Sequence, residues 1–323
     1  MTFTTVSPAK PIAPWLGGKS KLASLLIERI EGVPHKTYVE PFVGMGGVFL
    51  RRRMRPKLEV ANDRNGEIVN LFRILQRHYP QLMEVLRFQI TSRREFERLR
   101  ATDPATLTDL ERAARFLYLS RLAFGGQHRG VFGVASDRPA RFSLSRLEPL
   151  LDAAHERLEG VVFENLDWAE VITRYDGPNT LFYLDPPYWG CEADYGKGLF
   201  DRDQFALMAK TLGSIQGAFV LSINDVPEIR ELFAGFECEP VRLTYTVARG
   251  RPEGKSGELV VCNRTHDERL LSGGEYAQTE GRQIVIPNDI VFVADLDRID
   301  EAFRKFCHLE TDLSDRPSAL LLT

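Results

Sequence analysis

The sequence predicts an α/β protein with a mostly parallel, Rossmann-like sheet interrupted by a helical insertion. Three observations carry this. Short, largely apolar runs at residues 37–40, 58–63, 180–185 and 218–224 each end in an acid or an amide, as strands do when both faces are covered by helices. The first run leads into Pro41-Phe42-Val43-Gly44-Met45-Gly46-Gly47 and then a helical pattern, a strand, glycine loop and helix in succession. Helical apolar spacing over 67–119 lies in a segment, 67–157, that splits the strand-rich stretches 11–66 and 158–264.

Taken in order, Pro14-Trp15-Leu16-Gly17-Gly18-Lys19-Ser20 opens the fold. Its glycines let the chain bend, and Ser20 is placed to cap a helix whose Leu22, Leu25, Leu26 and Ile30 face the core. Gly-Gly-Lys before a helix suits an anion, but the spacing of a nucleotide P-loop is absent. An ordinary glycine turn explains it equally. The strand at 37–40 and the loop with Phe42, Gly44 and Gly46 form a unit that can cradle an adenosyl ligand, because glycine permits close backbone approach. The strand at 58–63 ends in Asp63, an acceptor for two ribose hydroxyls or a helix cap.

The pattern over 67–119 is helical, with Leu71, Ile74, Leu75, Leu82, Val85, Leu86, Phe96, Leu99, Leu110, Phe116 and Leu117 as core and a break at Asp103-Pro104. Residues 124–133, rich in glycine and including Gly126 and Arg129, read as a hairpin. Arg121, Arg138 and Arg141 flank it. His128 has no partner at metal-ligand spacing and reads as a loop residue. A strand over 161–168 contains Asp167, a helix follows at 202–212, and a strand pair at 237–246 and 257–262 closes the domain. The last 59 residues, 265–323, carry one strand-like run at 290–293 and a helix near 299–306.

The net charge of −3 hides an uneven distribution. Residues 86–149 hold 12 arginines and 7 acids, whereas 265–323 hold 6 basic and 12 acidic residues. A basic middle fits a polyanion such as nucleic acid, and an acidic end does not. No apolar run approaches the ~20 residues of a membrane span, and the N-terminal residues lack a signal peptide's features. Four scattered cysteines suggest neither a disulfide framework nor a zinc site, which fits a reducing cytoplasm.

Residues 180–188, Thr-Leu-Phe-Tyr-Leu-Asp-Pro-Pro-Tyr, carry the chemistry. Pro186 and Pro187 cannot extend a ladder, so the strand ends at Asp185, at the carboxyl edge where open α/β folds bind ligands. A carboxylate, the Pro186 carbonyl and the Tyr188 ring then converge. Two acceptors and a stacking face suit a flat base with an exocyclic amine. A strand followed by a plain Pro-Pro turn is the structural alternative.

With these stretches assembled, the chain resembles the DNA adenine methyltransferases that act on the 6-amino group. The resemblance covers about residues 11–264. Three motifs carry it: Trp15-x-Gly17-Gly18-Lys19, Val39-Glu40-Pro41-Phe42-Val43-Gly44-Met45-Gly46 and Asp185-Pro186-Pro187-Tyr188. It implies a class I methyltransferase sheet of seven strands with a final antiparallel hairpin, S-adenosylmethionine as methyl donor (S-adenosylhomocysteine as product) and no metal. By motif, Trp15, Lys19, Phe42, Gly44, Gly46, Asp63 and Asp185 would meet the donor, and Asp167 would read its adenine. Asp185, Pro186, Pro187 and Tyr188 would hold the target base. Residues 67–157 would be a target-recognition domain on double-stranded DNA, with Arg121, Gly126, Arg129, Arg138 and Arg141 at the DNA. The implied setting is a bacterial or phage cytoplasm, as a monomer when off DNA, with a cognate restriction endonuclease or none. Pro14 stands where the family often has a DNA-contacting lysine, and the hairpin diverges after Gly133, so a GATC recognition sequence is not carried over. The acidic end lies outside the pattern.

The activity implied is methyl transfer to an adenine flipped out of duplex DNA, with Asp185 and the Pro186 carbonyl accepting the amine hydrogens and Tyr188 stacking. An RNA adenine methyltransferase more often has Asn in place of Asp185 and lacks the insertion. An inactive DNA-binding protein of the same fold has no need of an intact Asp185, Tyr188, Gly44 and Gly46.

Overall fold

The computed structural model describes residues 3–15, 17–123, 130–133, 141–192, 200–242, 257–263, 283–286 and 290–293. In chain order the elements begin with β1 (Thr4–Thr5), α1 (Ala23–Glu31), β2 (Thr37–Glu40), β3 (Met54–Arg55) and β4 (Leu58–Asn62). Five helices of the insertion follow: α2 (Gly66–Arg77), α3 (Tyr79–Arg87), α4 (Arg93–Ala101), α5 (Asp109–Leu122) and α6 (Leu144–Arg157). Then come β5 (Val162–Glu164), α7 (Trp168–Tyr175), β6 (Thr180–Leu184), α8 (Asp203–Leu212), β7 (Ala218–Asn224) and α9 (Pro227–Leu232). The last are β8 (Glu237–Arg242), β9 (Gly257–Cys262), β10 (Gln283–Ile286) and β11 (Ile290–Val293).

Seven strands form one sheet in the order β5-β4-β2-β6-β7-β9-β8. The first five are parallel, and β9 runs antiparallel between β7 and β8. Side chains alternate across the pleat, and the core divides accordingly. Tyr38, Ala61, Leu181, Tyr183, Val220 and Val260 join one cluster with α1 and the insertion helices. Val39, Val60, Phe182, Leu184, Phe219, Leu221 and Val261 join the other with α7, α8 and α9. The class I methyltransferase architecture anticipated from the motifs is present.

Several local expectations change. Ser20 does not cap α1; the helix starts at Ala23 after Leu22, whose side chain caps nothing, and the Lys19 carbonyl accepts from Leu22 and Ala23. Val48-Phe49-Leu50 contributes only to a short 3₁₀ turn. The strand expected over 161–168 spans only Val162–Glu164. Beyond it the Asn62 amide replaces the ladder, donating to the Leu166 carbonyl at 3.2 Å and accepting from Leu166 N–H at 2.9 Å. Asp167 then caps α7 by accepting from Ala169 N–H at 3.0 Å.

Asp103-Pro104 does break the helical run, and α5 restarts on a Thr108–Glu111 capping box. The insertion is tied to the sheet through Glu59 on β4. Arg157 at the end of α6 reaches both of its oxygens at 2.8 Å, with Arg52 at 2.8 Å and Arg55 at 3.0 Å. Burial alone would raise the Glu59 pKa, but the three guanidiniums outweigh it and hold the carboxyl low. Removing one partner from such a buried cluster leaves charge unpaired, at about 3–5 kcal/mol.

The chain divides into two compact units, Met1–Gly273 and Gly274–Thr323. In the second, β10 pairs with β11 in antiparallel register. The run expected at 290–293 coincides with β11, and the helix expected near 299–306 lies outside the described residues. No described helix is long and apolar enough to cross a membrane.

Candidate active site

The carboxyl ends of β2, β4 and β6, neighbours in the sheet, open onto a cavity of about 540 Å³ lined by Trp15, Lys19, Phe42, Gly44, Asp63 and Asp185 among others. Three separate parts of the sequence thus meet at one edge. Gly46 and Asp167 are not in the lining.

The glycine loop after β2 shapes one wall. Gly44 has φ +49, and a Cβ there would stand 3.0 Å from the Trp15 indole nitrogen. Gly46 has φ +71, and its Cβ would strike the Leu50 side chain. Gly44 therefore keeps the cavity open, and Gly46 makes the turn behind it. Gly44 N–H donates to Asp63 at 2.9 Å and Asn65 N–H donates to its other oxygen at 2.8 Å. Asn65, not Asp63, caps α2. Burial pushes the Asp63 carboxyl up to about 6, with the two backbone donors pulling the other way.

A second wall is a buried charge cluster. Lys19 is only 4% exposed at its side chain, with Nζ 2.7 Å from Asp185 Oδ1 and 3.2 Å from Glu258 Oε1. It also donates to the Tyr188 hydroxyl at 2.5 Å and stands 4.4 Å from the centre of that ring. The Tyr188 hydroxyl in turn donates to Glu258. Burial opposes the Lys19 charge, but the two carboxylates outweigh it and raise its pKa. Asp185 is pushed up to about 6 by burial, with Lys19 lowering it and Glu258 raising it. Burial chiefly, then the neighbouring acids, raise the Tyr188 pKa, so the phenol keeps its proton and serves as donor. Nearby, the Tyr38 hydroxyl donates to Glu40 at 2.7 Å, and burial lifts Glu40 to about 8.

Lys19, which the resemblance places at the donor, lines the cavity, and its ammonium sits among Asp185, Tyr188 and Glu258. Arg121 donates to the carbonyls of Ile12 at 2.7 Å and Arg141 at 3.0 Å, and Arg141 donates to that of Ala123 at 3.1 Å. Both arginines clasp the base of the expected hairpin, where Ala123 bridges Phe132. Gly126, Arg129 and Arg138 lie outside the described residues. Sequence reasoning missed Glu258, Glu40 and Asn224. For Glu258 a signal existed: a lone acid heading the apolar run 257–262, a strand with both faces covered.

The matching family pattern is that of the D12 class N6 adenine-specific DNA methyltransferases, over residues 15–247. The chain belongs to that family. The pattern begins at Trp15, spans the glycine loop and the Asp185–Tyr188 tetrapeptide, and ends before Glu258 of this methyltransferase. Curated relatives agree. A type II methyltransferase, M1.LlaDCHI of Lactococcus lactis subsp. cremoris, is 28% identical over 79% of this chain and 95% of its own. A DNA N-6-adenine-methyltransferase of Escherichia phage P1 is 32% identical over 78% of this chain and 35% of its own. A DNA adenine methylase of Haemophilus influenzae is 25% identical over 74% and 88%.

Proposed function

We propose that this adenine-specific DNA methyltransferase uses S-adenosylmethionine and acts on the 6-amino group of an adenine flipped out of duplex DNA. The observation that carries the reading is the position of Asp185. One carboxylate oxygen is held by Lys19, the other makes no hydrogen bond to a described residue, and the residue lines the cavity.

The cavity fits the donor's chemistry. Trp15, Phe42 and Val43 offer apolar and aromatic walls, Gly44 leaves room beside the indole, and Asp63 presents a carboxylate where ribose hydroxyls would be recognised. When bound, S-adenosylmethionine supplies an electrophilic methyl group. The chain's own residues do the rest. Asp185 and the Pro186 carbonyl accept the two amine hydrogens, which draws the nitrogen lone pair out of conjugation with the ring. Tyr188 offers its face to the base. Holding the amine in this attitude is where much of the acceleration arises. Asp185 can then take the proton that the nitrogen sheds after transfer.

We further propose residues 67–157 as the DNA-reading domain, with Arg129 and Arg138 contacting DNA and Arg121 and Arg141 setting the hairpin base. Expression in a host free of adenine methylation, followed by sequencing for N6-methyladenine, tests the function and returns the recognition sequence. Unmodified DNA alongside soluble, donor-binding protein would refute it.

A further inference from the structure

The tetrapeptide and the residue after it are gripped from the neighbouring strands β7 and β9 by two residues that are partners in one strand pair. In the antiparallel register of β7 and β9, Asn224 stands opposite Glu258, so their side chains emerge on the same face. Glu258, 3% exposed at its side chain, accepts from the Tyr188 hydroxyl and pairs with Lys19. Asn224 grips the next residue in both directions: its Oδ1 accepts from Trp189 N–H at 2.9 Å, and its Nδ2 donates to the Trp189 carbonyl at 3.1 Å. Tyr188 and Trp189 follow two prolines and belong to no helix or strand. Lys19 also holds Tyr188, and the Trp189 ring packs on Phe205 and Arg202; the register pair adds the acceptor for the tyrosine hydroxyl and both backbone bonds of Trp189.

We propose that Glu258 is a positioning residue for methyl transfer, holding the Tyr188 ring as the stacking plate for the target base and, through Lys19, the Asp185 carboxylate beside it. Asn224 secures the same segment through its backbone. This rests on the roles proposed above for Asp185 and Tyr188. A buried acid in a covered strand needs a compensating partner, and here the partners are Tyr188, assigned to the target base, and Lys19, which also pairs with Asp185. Asp185 is faced by Lys19 from the segment before α1, by Glu258 from β9, by Glu40 from β2, and by Tyr183 and Tyr188 of its own segment. Of the two side chains paired with Lys19, only Glu258 faces the reaction through another group.

The test compares full-length wild type, Glu258→Ala, Glu258→Gln, Tyr188→Phe, the double variant Glu258→Ala/Tyr188→Phe and Asp185→Ala. It reads single-turnover methylation of duplex DNA, S-adenosylhomocysteine affinity by calorimetry, and the pH profile of kcat/KM. Glu258→Ala should lower the single-turnover rate about 10- to 100-fold, the scale of a small misplacement of reacting groups, with S-adenosylhomocysteine affinity within about twofold. Glu258→Gln keeps an acceptor for the tyrosine and should recover most of the rate. Its acidic limb should move to lower pH, because a negative charge facing Asp185 is gone. The double variant should be no slower than Glu258→Ala. A Glu258→Ala enzyme at wild-type rate beside an inactive Asp185→Ala overturns the brace and leaves the proposed function standing. An Asp185→Ala enzyme at wild-type rate overturns both. If Glu258→Ala misfolds, Glu258→Gln decides: an unmoved acidic limb overturns the proposal.

Discussion

Asp63 and Asp185 stand at the ends of β4 and β6, either side of β2 in the sheet. Both are pushed up to about 6, and burial is the main cause for each. Their support differs. Asp63 is held by two backbone N–H groups from the β2 and β4 loops, with no cation at hydrogen-bonding distance among the described residues. Asp185 is held by Lys19, itself shared with Glu258 and Tyr188. Backbone donors are fixed once the loops fold, so the Asp63 side is rigid and fit for a ligand that binds unchanged. Buried charges that hold one another in place form a preorganised electrostatic site, so the Asp185 side is suited to a step in which charge moves.

The comparison breaks most sharply on Asp185→Ala, which should abolish methylation while changing S-adenosylmethionine affinity far less. Near-normal turnover would remove the distinction between the two walls. Lys19→Met comes next. It leaves two buried carboxylates facing each other and should raise the Asp185 pKa further, moving the acidic limb of kcat/KM upward, opposite to Glu258→Gln. A downward shift would show that Lys19 does not govern Asp185.

Asp63→Ala should weaken S-adenosylmethionine binding by about 1–3 kcal/mol, the range for polar partners left unpaired, with no movement of the acidic limb. An unchanged dissociation constant in calorimetry would confine Asp63 to the loop. On DNA, Arg129→Ala and Arg138→Ala should each flatten the salt dependence of binding by about one unit of slope if they meet phosphates. Removal of residues 265–323 should not weaken binding; a truncation that abolishes it would move the DNA surface to the acidic end.

The last effect is on stability and concerns Glu40, raised from 4.5 to about 8. Between those values the folded state holds a proton that the unfolded state has lost, so stability falls as pH rises across that window. Glu40→Gln keeps the acceptor for Tyr38 and should flatten the fall, measured as melting temperature against pH. An equal slope in both proteins would mean that another group is responsible.

What the sequence determined by itself was local and contiguous. Strand and glycine loop follow one another around Gly44, although the helix expected after them is only a 3₁₀ turn, and the Pro-Pro pair must end the strand beside Asp185, because backbone sterics act at short range. The spacing of apolar residues placed both faces of the sheet in the core. The tertiary structure decided whatever required distant strands to pair. Nothing near Glu258 in the chain announces Tyr188, 70 residues away; the register of β9 on β7 brings them together. Nothing near Lys19 announces that its ammonium would stand between two acids. Arg121 and Arg141 read as free cations in a basic stretch, and only packing shows them bound to backbone carbonyls. Charge in a sequence is a count, whereas its role depends on which buried partner the fold sets within about 3 Å.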